Sequence, residues 1–90
     1  GNARDISLLI GKEVECGSIV DAITACDEMI KKVTLFDLFE SEKLGADKKS
    51  MAFNIKLTSS EKDVTDAMTD EVIEKVLKAL ETQFGAQMRA

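Results

Sequence analysis

Two side chains near the middle of the chain have the chemistry to recognise a nucleobase. Asp37 and Phe39 stand two residues apart in a stretch that alternates like a β-strand, so one face of a sheet can present both. A carboxylate accepts two parallel N–H bonds from the Watson–Crick edge of guanine, a donor pair that no other base offers in this geometry. An exposed aromatic ring stacks on a base, which is worth about 1–3 kcal/mol. The structural alternatives are that Asp37 is satisfied by a hydrogen bond from a loop or a neighbouring strand, and that Phe39 is a core residue.

A β-hairpin over residues 33–57 would position these groups, because two alternating flanks enclose a polar, glycine-containing segment. On the second flank one face is apolar and carries Met51, Phe53, Ile55 and Leu57. The other face carries Ser50, Ala52, Asn54 and Lys56. With Phe36 and Leu38 on the apolar face of the first flank, we expect Leu35, Asp37 and Phe39 to face outward. Ser50 would then lie across from Phe39, and with Asn54 it would complete the patch.

Lysines gather at both ends of this hairpin. Lys43, Lys48 and Lys49 frame the loop, whereas Lys31, Lys32 and Lys56 should meet at the far end. They either protect strand edges and keep the surface soluble, or they hold a phosphate backbone that crosses the open face. The formal net charge of −5 argues against a general nucleic-acid binder, so any such binding depends on these local clusters.

The whole chain predicts an α+β, ferredoxin-like fold of the order β-α-β-β-α-β, with a four-stranded antiparallel sheet and two helices on one face. Ser18 is expected to cap the first helix, and Thr69 and Gly85 are expected to bound the second. The strands are expected at residues 5–10, 29–40, 50–59 and 86–90, with a polar linker at 59–66. Residues 1–3 resemble a cloning remnant, which leaves residues 4–90 as a single domain.

The sequence contains none of the residue combinations that commonly carry out catalysis. The chain has no histidine, no glycine-rich phosphate loop and no cluster of metal-ligand spacing, so we expect no active site in this fragment. Cys16 and Cys26 are expected to be reduced packing residues. No apolar run reaches the 18–20 or so residues that cross a bilayer, and no leader opens the chain, so we expect no membrane partner.

Several runs of residues together resemble a known family. Leu35-Phe-Asp-Leu-Phe39, the loop from Gly45 to Lys48-Lys49-Ser50 with Met51-Ala-Phe53, and Met68-Thr-Asp-Glu71 are similar to the C-terminal ferredoxin-fold anticodon-binding domain of the bacterial phenylalanyl-tRNA synthetase β subunit. The similarity extends from Arg4 to Arg89. The combination of Phe-Asp-x-aromatic with Lys-Lys-Ser-x-Ala-Phe is the specific part.

The resemblance implies contact with the anticodon of phenylalanine tRNA, whose first base is guanine. Asp37 would accept hydrogen bonds from that base, Phe39 would stack on it, and Ser50 would add a polar contact. From the residues themselves, we expect Asn54 to belong to the same tRNA-binding patch and Lys48 and Lys49 to attract phosphate. The resemblance also implies a cytoplasmic parent enzyme that uses ATP and Mg²⁺ on a catalytic α subunit, with no cofactor in this fragment and no DNA partner. Two other functions stay open: an amino-acid-binding regulatory domain of similar topology, and a purely structural interaction domain.

Overall fold

The computed structural model describes residues 2–60 and 63–89. Strand β1 (Asn2–Gly11) leads into helix α1 (Cys16–Thr24), and strands β2 (Ile30–Phe39) and β3 (Lys48–Leu57) form the central hairpin. Helix α2 (Asp66–Phe84) and the short strand β4 (Gln87–Met88) complete the described chain. The strands form one antiparallel sheet in the order β2-β3-β1-β4. The predicted ferredoxin-like order and fold class are therefore confirmed.

One hydrophobic core lies between the sheet and the two helices. Its buried side chains come from alternate positions of β1 and β3, from the start of β2, and from the inward stripes of both helices, namely Ile6, Leu8, Ile10, Ile19, Ile23, Ile30, Met51, Phe53, Ile55, Leu57, Val72, Val76, Leu80 and Ala86. Because this period-2 set covers only one side of the sheet, the opposite side is free of helices. This uncovered side is called the open face below.

The start of the chain is part of the sheet. Asn2 and Ala3 pair with Leu57 and Lys56 of β3, so β1 begins three residues before the predicted strand. The Asn2 amide donates to the Thr69 hydroxyl at 3.0 Å and to the Val64 carbonyl at 3.1 Å, which joins β1 to the beginning of α2. That residues 1–3 are a cloning remnant stays a prediction, but residues 2 and 3 have structural roles.

Both helices begin earlier than the sequence suggested. Helix α1 begins at Cys16 with Glu15 at its N-cap and no side-chain cap, so Ser18 lies in the first turn. Helix α2 is capped by Thr65, whose hydroxyl accepts from the Met68 N–H at 3.1 Å. Thr69 is instead a buried helical residue, and its hydroxyl donates to the Thr65 carbonyl at 2.9 Å. The expected caps at Ser18 and Thr69 were therefore wrong.

The end of α2 follows the expectation from sequence. Gly85 adopts the left-handed conformation with φ 69°, and its N–H donates to the Glu81 carbonyl at 2.9 Å. The chain then turns into β4, which is shorter than predicted and pairs with Leu8 and Leu9 of β1. The predicted linker at residues 59–66 includes residues 61 and 62, which lie outside the described residues. In the described part of the chain, neither helix is both long and apolar enough to cross a membrane.

Candidate nucleic-acid interface

A β-bulge in β2 determines which side chains reach the open face. Leu35 pairs with Phe53, but the next pair is Asp37 with Ala52, so Phe36 is an extra residue with no partner on β3. Before the bulge, Val33 and Leu35 therefore face the helices. Leu35 packs against the core, and its predicted outward direction was wrong.

After the bulge the alternation is reversed, and Asp37 and Phe39 face the open side. Asp37 lies opposite Ala52 and Phe39 opposite Ser50, and both partners alternate with the fully buried Met51. Residues directly opposite each other in an antiparallel pair project to the same side of the sheet. The predicted outward direction of Asp37 and Phe39 is confirmed by this register.

The two other aromatic or aliphatic side chains in this part of β2 do not join the core. Leu38 pairs with Met51 and so belongs to the helix side, but 55% of it is exposed, and Phe36 on the bulge is 54% exposed. Leu38 therefore faces the expected side of the sheet without being buried, whereas the bulge takes Phe36 out of the alternation that placed it on the apolar face. The helices cover the sheet around β1 and β3, and this end of β2 extends beyond their cover.

The Phe39 ring belongs to a small cluster that includes a residue missed at the sequence level. The guanidinium carbon of Arg89 lies 5.8 Å from the ring centroid of Phe39. The same side chain donates from Nη1 to the Ser50 hydroxyl at 3.1 Å. The Arg89 N–H also donates to the Ser7 carbonyl at 2.7 Å, which fixes the backbone beside β1. Arg89 therefore reaches across the open face from the β4 edge and places its guanidinium beside Phe39 and Ser50.

The Asp37 carboxylate is available to a partner. Asp37 is exposed, and within residues 2–60 and 63–89 no side chain or backbone group forms a hydrogen bond or ion pair with its carboxylate. The alternative that Asp37 satisfies a loop or a neighbouring strand therefore has no support in the described residues. An ionised carboxylate on a paired strand is an acceptor-only group in a defined position, which suits a ligand that presents N–H donors.

Asn54 lies on the open face, but its amide is already engaged. It is opposite Asp5 of β1 and Thr34 of β2, and its Nδ2 donates to Asp5 Oδ1 at 2.8 Å. The Asn54–Asp5 pair therefore forms the next layer of the face beyond Ala52. Its remaining donors and acceptors are available to a partner.

The two lysines at the loop end of β3 differ in position. Lys48 is opposite Gly11 and on the same side of β3 as Ser50, beside the hairpin loop. Lys49 is opposite the buried Ile10 on the helix side, and its Nζ donates to the Val14 carbonyl at 2.6 Å. The structure thus places Lys48 on the open face with Asp37, Phe39, Ser50 and Asn54, and it places Lys49 elsewhere.

The two cysteines lie apart from the open face and are not paired with each other. Cys16 and Cys26 are free and partly buried, and burial raises the pKa of the Cys26 thiol, which donates to the Ala22 carbonyl at 3.2 Å. Over the residues that the structure describes, no group of three cysteine, aspartate or glutamate side chains could hold a metal ion.

The fold is a four-stranded antiparallel sheet with two helices on one side, and its open face carries Asp37, Phe39 and Arg89. The sequence model of the ferredoxin-fold anticodon binding domain matches residues 1–89, and the chain belongs to this family.

The chain is also similar to phenylalanine–tRNA ligase β subunits. It is 38% identical to that of Nitrosospira multiformis over 88 residues, 40% identical to that of Bacillus cereus over 87, and 39% identical to that of Geobacillus kaustophilus over 87. These alignments cover 96–97% of this chain and 11% of each relative. The chain therefore spans about a tenth of the length of these curated relatives.

Proposed function

We propose that this domain binds the anticodon of phenylalanine tRNA and reads its first base as part of a phenylalanine–tRNA ligase. The observation that carries the proposal is the bulge at Phe36, which turns Asp37 and Phe39 together onto the open face beside Ser50 and Arg89. Membership of the anticodon-binding family and the similarity to ligase β subunits support the same function.

The recognition uses one edge and one face of the base. The Asp37 carboxylate accepts hydrogen bonds from N1–H and the exocyclic N2–H of guanine, whereas adenine, cytosine and uracil lack this pair of parallel donors. The Phe39 ring supplies a stacking surface, and half of it is already shielded by its neighbours, with 46% exposed. Ser50 is only 5% exposed and its hydroxyl accepts from Arg89, so its part in this proposal is to hold the arginine beside the ring.

The remaining predicted contacts are less specific. Lys48, on the open face, attracts phosphate, and Asn54 contacts the RNA through the atoms that its bond to Asp5 leaves available. Lys49 keeps its role in this proposal only as a long-range positive charge, because its ammonium is held by the Val14 carbonyl on the helix side.

We propose that this domain acts in translation as part of its parent protein. We propose that ATP- and Mg²⁺-dependent activation of phenylalanine occurs on the catalytic α subunit, in the cytoplasm, and that this domain contributes to selection and orientation of the tRNA. Its partners are then the tRNA, the rest of the β subunit and the α subunit, with neither DNA nor membrane.

A base exchange tests the Asp37 contact directly. An anticodon stem-loop with guanine at the first position is compared with one that has inosine, which lacks only the exocyclic amine. Loss of one hydrogen bond to a charged acceptor costs about 1.5–3 kcal/mol, or roughly a 10- to 150-fold weaker binding to the unsubstituted domain. Asp37→Ala should bind both RNAs equally, because the acceptor is gone.

A matched control is Asp21→Ala, which also removes an exposed carboxylate, but from α1 on the other side of the sheet. This variant should keep the full discrimination between guanine and inosine. Equal binding of the two RNAs by the unsubstituted domain would refute the assigned contact. Retained binding by the triple variant D37A/F39A/S50A would instead indicate that the open face packs on another part of its own protein.

A further inference from the structure

Asp37, Phe39, Ser50 and Arg89 are called the base patch below. A pair of lysines faces the open side at the other end of the sheet, far from this patch. Lys32 of β2 lies directly opposite Lys56 of β3, and both are exposed. Their neighbours in each strand, Val33 and Leu57, face the helices, so the two ammonium groups project from the open face. Like charges directly opposite each other in a sheet destabilise it. The free domain therefore tolerates an unfavourable pair in a chain with a net charge of −5.

The structure offers this pair no compensating acid. On the other side of Lys56, β1 presents the methyl group of Ala3. The acid of the open face that lies diagonally from Lys56 is Asp5, and its Oδ1 accepts from Asn54 at 2.8 Å. Among the described residues, no carboxylate lies within ion-pair distance of Lys32 or Lys56, whereas Arg4 and Lys75 on the helix side have acidic partners.

Protection of a strand edge does not explain the pair. Exposed lysines often prevent an edge strand from pairing with another chain. Lys32 is on the edge strand β2, but Lys56 is on β3, which has neighbouring strands on both sides. A lysine on the inner strand gives no protection to an edge, so its position directly beside Lys32 needs another reason.

The lysine pair is on the same face as the base patch and in line with it. Along β3, Ser50 and Lys56 are six positions apart, which is roughly 20 Å at about 3.3 Å per residue. The open-face positions between them carry the short side chains of Ala52 and Asn54. Several nucleotides of single strand can cross this distance without a steric obstacle, since single-strand sites on other sheets take about four nucleotides or more.

We infer that Lys32 and Lys56 bind a backbone phosphate of the same RNA strand whose first anticodon base is read at Asp37 and Phe39. The inference rests on the proposed function and adds a second anchor to it. A bound phosphate between the two ammonium groups turns their repulsion into a favourable interaction. The base patch then selects the nucleotide, and the lysine pair fixes the direction of the strand along β3.

The salt dependence of RNA binding tests this anchor. Binding of the guanine stem-loop is measured between low and physiological salt for the unsubstituted domain, for K32Q/K56Q, and for K75Q/K78Q, which removes the same charge from α2. Each phosphate neutralised on a single strand contributes about 0.7 to the slope of log K against log salt. We expect the slope of K32Q/K56Q to fall by about 0.7, and that of K75Q/K78Q to stay unchanged. The preference for guanine over inosine should persist in both variants.

Thermal unfolding without RNA gives a second readout. Lys56→Gln removes the repulsion from Lys32, so it should raise the melting temperature, whereas Lys78→Gln should not. An unchanged slope in K32Q/K56Q with intact guanine preference would overturn the anchor and leave the proposed function standing. A second outcome would overturn both the anchor and the proposed function: the slope falls in K32Q/K56Q, but the unsubstituted domain does not prefer guanine to inosine. The lysine pair would then bind polyanions independently of base reading.

Discussion

The two phenylalanines of β2 allow a sharp test of the open-face patch. Phe39 and Phe36 are exposed to similar extents, 46% and 54%, but only Phe39 lies opposite Ser50 and beside Arg89. Phe39→Ala removes the stacking surface, which should weaken stem-loop binding by about 1–3 kcal/mol, or roughly 5- to 150-fold. Phe36→Ala should change affinity by no more than about twofold, as expected for a surface substitution outside the contact.

Measuring the stability of each variant distinguishes a loss of RNA binding from unfolding of the domain. Phe39→Ala removes the burial of about half of this residue, which is worth about 1 kcal/mol, and the exposed contact with Arg89, which is worth about 0.5–1 kcal/mol. Urea unfolding should therefore show losses of at most about 2 kcal/mol for both alanine variants, which leaves the domain folded. Fluorescence anisotropy with a labelled stem-loop measures the binding, and Phe39→Tyr should restore it because the ring is kept. Equal weakening by Phe36→Ala and Phe39→Ala would refute the role assigned to the bulge.

Three other predictions concern stability. Gly85→Ala should lower the free energy of unfolding by about 1–2 kcal/mol, because φ is 69° at this position, whereas Gly17→Ala in the first turn of α1 should raise it by about 0.5–1 kcal/mol. The Met29 N–H and Lys75 hold the pKa of Asp27 below its usual range. The ionised Asp27 therefore stabilises the folded domain above its unfolded pKa, and this stabilisation is lost as pH falls through the lower folded pKa. Asp27→Asn should lack this pH-dependent part of the free energy of unfolding. Lys49→Met should cost about 1–3 kcal/mol in urea unfolding, because it leaves a carbonyl without its charged donor.

Each of these predictions has a matched comparison. Equal effects of alanine at positions 85 and 17 would contradict the left-handed conformation as the cause. Asp21→Asn removes an exposed carboxylate from α1 and should keep the loss of stability at acidic pH. If that loss disappeared in Asp21→Asn as it does in Asp27→Asn, the contacts of Asp27 with the Met29 N–H and Lys75 would be ruled out as its source. Lys48→Gln should reduce the salt slope of RNA binding and leave stability unchanged, the reverse of the expectation for Lys49→Met.

The alternation of β3 was readable from the sequence, but that of β2 was readable only in part. In β3 every second residue is large and apolar, and the structure buries that whole set. In β2 the same rule places Asp37 and Phe39 correctly and Leu35 wrongly, because one extra residue reverses the phase at Phe36. No glycine marks this bulge, and the apolar run Leu35-Phe36 fits either phase. Only the pairing with β3 decides between them.

The helix starts show a second limit of local patterns. Thr65 and Thr69 are both suitable caps, and each is followed by an acid. The structure uses Thr65 because Thr69 is needed inside the domain, where its hydroxyl accepts from Asn2 of β1. This contact joins residues 67 positions apart, so no window of sequence contains the information.

Arg89 was beyond prediction for a related reason. It follows a two-residue strand near the end of the described chain, where spacing indicates nothing about its partners. Its proximity to Phe39 and Ser50 depends on β4 pairing with β1, the strand that lies between β4 and β3 of the hairpin, so that the arginine side chain crosses β1 to reach them. Arg89 contacts Phe39 and Ser50 only because the assembled sheet brings them together.

The position of β2 at the margin of the sheet has an evolutionary consequence. Its only strand neighbour in the described part of the molecule is β3, and its outer half lies beyond the helices. Exchange of Asp37 or Phe39 for other residues therefore disturbs few packing contacts. Substitutions in this one peripheral strand could therefore change the nucleotide preference proposed for Asp37 and Phe39. The core residues that keep the domain folded would stay under separate selection.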